Sequence, residues 1–95
     1  MTGLWCGHRA TSIVHGLKAA TAKFIDGDFG TAESLFKQVL AQDRGNAAAH
    51  KGLGFLYQRT GQKVKALSEL RTYLKLSPNA KDAGSVRKRI QELEN

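Results

Sequence analysis

The chain has few of the residue types that disulfides, metal sites and β-sheets require. Its 95 residues include one cysteine, Cys6, and one proline, Pro78, which excludes an internal disulfide and a cysteine-based zinc site. Valine, isoleucine and threonine never alternate with polar residues over the length of a strand. No apolar run approaches the roughly 20 residues of a membrane-spanning helix. These absences predict an all-α domain without membrane insertion.

Candidates for chemistry are equally scarce. Cys6, His8, His15 and His50 are the only soft metal ligands, and the Cys6-Gly7-His8 segment offers two ligands where a tetrahedral site needs four. No nucleophile has a base and an orienting partner at a useful spacing. We therefore predict no metal, no cofactor, no catalytic residue and no enzymatic activity. Residues 1–10 lack the pattern of a secretory signal, so we expect the cytoplasm.

The positive charge is unevenly distributed. Net charge is +7. Basic and acidic residues cancel over residues 13–46, whereas residues 47–80 carry six basic side chains and a single acid, Glu69. The excess should attract acidic partners, more weakly as salt is raised.

A shift of 34 residues aligns the chain with itself without gaps. Residues 13–46 then align with residues 47–80, so that small residues match small ones and bulky residues match bulky ones. The matched pairs are Ala20 with Gly54, Gly27 with Gly61, Ala32 with Ala66, Ser34 with Ser68, Phe36 with Leu70, and Leu40 with Leu74. Such a period is typical of stacked helical repeats.

Turn and capping signals divide the chain into five helices. Asp28 and Asn46 are predicted N-caps, and Gly27 and Gly61 are predicted helix ends. Pro78 follows the end of the fourth helix. The predicted helices cover residues 11 or 12–25, 29–42, 47–60, 63–76 and 81–94. The predicted core residues are Phe36, Leu40, Leu53, Tyr57, Leu70 and Leu74, and Val64 is counted with the apolar residues of the fourth helix.

The second repeat resembles the tetratricopeptide repeat. The residues that carry this resemblance are Leu53, Gly54, Tyr57, Gly61, Ala66, Leu70, Leu74 and Pro78. His50 replaces the usual first tryptophan, and in the first repeat Lys23 and Arg44 replace the tyrosine and the closing proline. The resemblance implies a short right-handed solenoid of two antiparallel helical hairpins, 13–46 and 47–80. A capping helix, 81–95, follows, as is common in bacterial proteins of this kind, and residues 1–12 are expected to be disordered or outside the domain.

The resemblance also implies a concave groove lined by the first helix of each hairpin. The expected ligand-facing residues are Ala48, Lys51, Phe55, Gln58 and Arg59 of the third helix and Arg89 of the last. Leu17, Thr21, Phe24 and Ser85 should fall near the same groove. Spacing supports this independently, because Lys51, Phe55 and Arg59 are four residues apart and share one helix face. Phe55 either is an exposed apolar anchor or packs against the neighbouring helix.

Three functions follow, in this order. The first is a protein–protein interaction module that binds a peptide or protein partner, with an acidic one favoured by the charge. The second is self-assembly into a homodimer or a longer solenoid through the apolar ends of a short stack. The third is nucleic-acid binding, which only the charge supports, since no nucleic-acid motif is present.

Overall fold

The computed structural model describes the backbone of residues 2–95 and the side chains from residue 13 onward. Over this part of the chain there are five helices and no strand. They are α1 (Thr2–Ile25), α2 (Phe29–Gln42), α3 (Ala47–Arg59), α4 (Lys63–Leu76) and α5 (Ala83–Glu94). Each helix packs against the next, and α1 also contacts α3. The all-α prediction of two helical hairpins and a final helix is confirmed.

The 34-residue period appears in the helix bounds and in the burial pattern. Helices α2 and α4 begin and end 34 residues apart, and α1 and α3 end at Ile25 and Arg59, which are also 34 apart. Equivalent positions are buried in both repeats. These pairs are Ala20 and Gly54, Ala32 and Ala66, Phe36 and Leu70, and Val39 and Tyr73. The two repeats therefore use the same faces to pack.

The predicted helix ends are confirmed at both hairpins. The Asp28 side chain accepts a hydrogen bond from the Thr31 backbone N–H, and the Asn46 side chain accepts one from Ala49 at 2.9 Å. Gly27 and Gly61 have φ values of 84° and 77°, in the left-handed region that glycine adopts without steric cost. The chain can thus reverse directly after α1 and α3.

The core consists of two groups of buried side chains. Of the predicted core residues, Phe36, Leu53, Tyr57 and Leu70 are buried, while Leu40 and Leu74 are partly buried and pack against the two groups. The apolar residues of α5 pack into the core, with Ala83, Val86 and Ile90 buried and Leu93 partly buried. Val64 is 81% exposed. Its assignment to the packed face of α4 was wrong, because it lies in the first turn, off the stripe formed by the later residues.

The two ends of the domain differ from the sequence-based prediction. Helix α1 begins at Thr2 rather than at Thr11 or Ser12, and α5 begins at Ala83 rather than at Lys81. The side chains of residues 1–12, including the weak metal-ligand candidates Cys6 and His8, lie outside the described residues. The assignment of this segment to a region outside the domain therefore stays a prediction.

Two glycines of α3 allow neighbouring helices to approach closely. A Cβ atom on Gly54 would lie 2.5 Å from Cδ2 of Leu70 on α4, and one on Gly52 would lie 2.4 Å from Cζ of Phe36 on α2. Both distances are far shorter than a van der Waals contact. The Gly54 contact closes the second hairpin, and the Gly52 contact joins the two hairpins.

Truncating Leu70 tests the packing at this contact. Leu70 is fully buried, so Leu70→Ala should lower the free energy of unfolding by about 2–5 kcal/mol through lost burial and the cavity that remains. Urea unfolding followed by circular dichroism measures the change. Val64→Ala, at an exposed position of the same helix, is the control and should change it by less than about 0.5 kcal/mol. Equal effects of the two variants would contradict the assigned core.

Candidate functional site

An apolar groove lies between the first helices of the two hairpins. It has a volume of about 460 Å³. Leu17 and Phe24 of α1 form one side, Ala48 and Phe55 of α3 form the other, and Phe36 of α2 lies between them. The complete lining is Leu17, Thr21, Phe24, Ile25, Phe36, Ala48, Lys51, Gly52 and Phe55. The groove is large enough for one or two bulky apolar side chains.

A second, more polar depression continues the groove toward α5. It has a volume of about 200 Å³ and is lined by Phe24, Phe55, Gln58, Arg59 and Arg89. Phe24 and Phe55 line both depressions, so the two are adjacent. The predicted ligand-facing residues are therefore brought to one continuous surface by α1, α3 and α5, and we call this surface the groove.

The sequence left open whether Phe55 is an exposed apolar anchor or packs against the neighbouring helix, and its surroundings have features of both. It is partly buried and packs against the core group formed by α4 and α5, yet it also lines the groove. The Arg89 guanidinium lies over its ring, 5.2 Å from the centroid, within cation–π range. Arg89 Nη1 also donates a hydrogen bond to Oε1 of Gln58 at 3.2 Å. These two contacts hold the Arg89 side chain at the junction of α3 and α5.

Lys51 lines the groove but its ammonium group already has partners within the chain. Lys51 Nζ lies 3.0 Å from Oδ2 of Asp82, directly before α5, and 5.4 Å from the centroid of the Tyr73 ring. The Tyr73 hydroxyl donates a hydrogen bond to Oδ1 of the same carboxylate. Lys51 of α3 and Tyr73 of α4 thus both contact Asp82 at the start of α5. We call these three residues the Asp82 cluster, and it positions α5.

The electrostatics of this cluster follow from its hydrogen bonds. The Tyr73 hydroxyl and then Lys51 stabilise the ionised Asp82 carboxylate and lower its pKa below the ordinary value of 3.8. The same hydrogen bond to Asp82, together with partial burial, raises the pKa of Tyr73. The cluster is therefore a stable arrangement of a carboxylate, an ammonium group and a neutral phenol near neutral pH.

Other polar contacts join the helices through side chains that do not line the groove. The Tyr57 hydroxyl donates to Oε2 of Glu33 on α2 at 2.7 Å, which lowers the pKa of Glu33. Burial and then this hydrogen bond raise the pKa of Tyr57. His50 Nδ1 lies 2.8 Å from Oε2 of Glu69, and its Nε2 lies 3.0 Å from the Arg44 carbonyl oxygen. The histidine that replaces the usual tryptophan thus links α3 to α4 and to the preceding loop.

The ligand-facing residues predicted from the sequence include most groove residues of α3 but omit two other residues that line the groove. Ala48, Lys51, Phe55, Gln58, Arg59 and Arg89 all line the surface. Phe36 and Gly52 were not assigned to it, because Phe36 reads as a core residue and Gly52 as part of a helix. The available signal was the cost of about 1 kcal/mol that a glycine imposes within a helix, which suggests that Gly52 has a packing role.

The Asp82 cluster predicts a specific dependence of stability on pH. A carboxylate whose pKa is lowered by folding stabilises the folded state above its ordinary pKa, and this contribution is lost as the pH falls through the folded-state value. Asp82→Asn should therefore unfold at lower urea than wild type at neutral pH. The difference should shrink as the pH falls below about 3.8.

Asp26→Asn is the control for that experiment, since Asp26 is exposed and forms no ion pair among the described side chains. Its urea midpoint at neutral pH should stay close to that of wild type. If Asp82→Asn matched wild type at neutral pH, or differed from it equally at all pH values, the cluster would not hold α5 in the way described.

Over the described residues, no helix combines the length and apolarity that crossing a membrane requires. No group of three or more potential metal ligands occurs there either. No curated protein matches the sequence significantly. The sequence does match the family described as tetratricopeptide repeat over residues 23–90, which is more than half of the chain. With two helical hairpins repeated at 34 residues and a groove along their first helices, the chain belongs to the tetratricopeptide repeat family.

Proposed function

We propose that this protein is an interaction module that binds a peptide segment of a partner protein in the groove formed by α1, α3 and α5. The observation that carries the proposal is the apolar depression of about 460 Å³ between α1 and α3. Its lining side chains come from two hairpins, so the site exists only when the repeats are stacked. The predicted residues Ala48, Lys51, Phe55, Gln58, Arg59 and Arg89 would contact the ligand.

Membership of the family supports the general part of this proposal. Tetratricopeptide repeats in general mediate protein–protein interactions, and the family is typically a non-catalytic scaffold. The specific part, which is binding in the groove, has support from the shape of the surface. An elongated depression that continues across three helices suits an extended or helical segment better than a compact small molecule.

An exposed apolar side chain in the groove also supports a ligand. Ile25 is 76% exposed and lines the apolar depression together with Leu17, Phe24 and Phe55. Contiguous apolar surface of this kind commonly marks a binding site. A partner with bulky apolar side chains would remove this surface from water.

A substitution that fills the groove tests the proposal. Ala48 is an exposed, small residue of the lining, so Ala48→Trp should occupy the ligand's place without entering the core. Peptides selected from a random phage-displayed library against the wild-type chain supply the probe. The dissociation constant of a selected, fluorescein-labelled peptide should rise about tenfold or more in Ala48→Trp, a loss of at least about 1.4 kcal/mol.

Ala41→Trp is the matched control, because Ala41 is an exposed alanine of α2 that does not line the groove. Its affinity for the same peptide should equal that of wild type. Sedimentation velocity at the protein concentrations used would show whether either variant changes the oligomeric state. Selection of no peptide, or equal binding by both tryptophan variants, would refute binding in the groove.

A further inference from the structure

The groove changes in chemical character along the stack of helices. The 34-residue period places three groove positions on each of α1, α3 and α5. The equivalent sets are Leu17, Lys51 and Ser85; Thr21, Phe55 and Arg89; and Phe24, Gln58 and Glu92. All nine side chains line the groove or a third depression of about 270 Å³, which shares Arg89 with the groove. The positions on α1 are mainly apolar, those on α3 are mixed, and those on α5 are polar or charged.

Two arginines stand at the polar end of the apolar depression. Arg59 and Arg89 line the same depression of about 200 Å³ with Gln58. Among the described side chains, no carboxylate lies within 4 Å of either guanidinium, although Lys37, Lys51 and Arg71 each have an acidic partner. The chain therefore leaves two cations without a counter-charge at this point of its groove.

The contacts of Arg89 prepare it to bind an anion. Its guanidinium is held over Phe55 and by Gln58, so little side-chain freedom remains to be lost on binding. A guanidinium has five N–H donors, and the bond to Gln58 is the one hydrogen bond that it makes to a described residue. A carboxylate placed between Arg89 and Arg59 would form charge-assisted hydrogen bonds.

Glu92 limits where an acidic group of the ligand can bind. This carboxylate lines the next depression along α5, together with Ser85, Lys88 and Arg89. An acidic ligand group there would be repelled by Glu92, whereas no acidic residue lines the depression between Arg59 and Arg89. The favourable place for a ligand carboxylate is thus directly beside Phe55, the residue that also forms the wall of the apolar depression.

We propose that the ligand is a peptide in which a bulky apolar side chain is followed or preceded closely by an acidic group. The apolar side chain would lie between α1 and α3, against Phe24 and Phe36. The acidic group would lie between Arg59 and Arg89. This inference rests on the proposed function and specifies the chemistry of the partner. Because Phe24 and Phe55 border both places, the two ligand groups must be near each other in the peptide.

Parallel selections from one random phage-displayed peptide library test the inference. Wild type should enrich peptides with aspartate or glutamate close to a bulky apolar residue. The variant Arg59→Glu with Arg89→Glu should retain the apolar preference but enrich lysine or arginine in place of the acids. The matched control, Lys63→Glu with Lys75→Glu, has the same change in net charge on α4, which contributes no residue to the three depressions. It should select the same peptides as wild type.

A charge-swap measurement makes the result quantitative. Replacing the acids of a wild-type-selected peptide by the corresponding amides should weaken binding to wild type about tenfold, as expected for losing charged hydrogen bonds. The same replacement should strengthen binding to the variant Arg59→Glu with Arg89→Glu, because its two glutamates repel the acids of the peptide. Wild-type affinity for the acidic peptide should also fall as salt is raised.

The outcomes separate this inference from the proposed function. Apolar peptides without acid enrichment, whose binding Ala48→Trp still abolishes, would overturn the acidic subsite and leave the groove intact. If the Lys63 and Lys75 control changed the enrichment of acids as strongly as the arginine variant, the enrichment would be due to overall charge. That result would overturn the acidic subsite. A single-stranded oligonucleotide that binds wild type more tightly than any selected peptide would overturn the assignment to an acidic peptide. Failure to select any peptide would refute both proposals.

Discussion

The close approach of α3 to its neighbours is the constraint on which the rest of the structure depends. Gly54 lets Leu70 pack directly against the α3 backbone, and Gly52 does the same for the ring of Phe36. Any side chain at these positions would force the facing Leu70 or Phe36 side chain, or the helix that carries it, to shift, because a Cβ atom would overlap that side chain. Since Phe36 also lines the groove, the contact that stacks one hairpin on the next also shapes the groove.

Polar contacts then determine how the stacked helices are positioned. Hydrogen bonds from Tyr57 to Glu33 and from Tyr73 to Asp82 each join side chains of different elements. Each phenol satisfies its hydroxyl at the edge of the core while its ring is buried, which avoids the cost of a buried unpaired polar group. Lys51 completes the Asp82 cluster. Lys51 thus contacts the start of α5, whereas Arg59 of the same helix has no carboxylate within 4 Å among the described side chains.

The sequence predicts the features that depend on local chemistry and on the 34-residue period. Caps at Asp28 and Asn46, and the left-handed turns at Gly27 and Gly61, follow from residue type alone. The period does not specify rotamers or the exact positions of the helices. Contacts between distant side chains depend on both, as for His50 with Glu69 and Lys51 with Asp82, which are 19 and 31 residues apart. For this reason the period predicts which residues share the groove surface, although their role in binding stays a prediction, whereas it does not predict the internal partner of Lys51.

Core and groove residues lie on different faces of the helices. This separation allows the groove to be mainly apolar at α1, mixed at α3 and polar or charged at α5. On α3, Leu53, Leu56 and Tyr57 are buried in the core, while Phe55 and Arg59 lie on the groove side. Exposed residues on the groove side, such as Thr21 and Arg59, can change without disturbing the core. Phe55 and Lys51, in contrast, also contact α4 or α5. Stability therefore constrains the small and bulky residues of the core more strongly than the exposed residues along the groove.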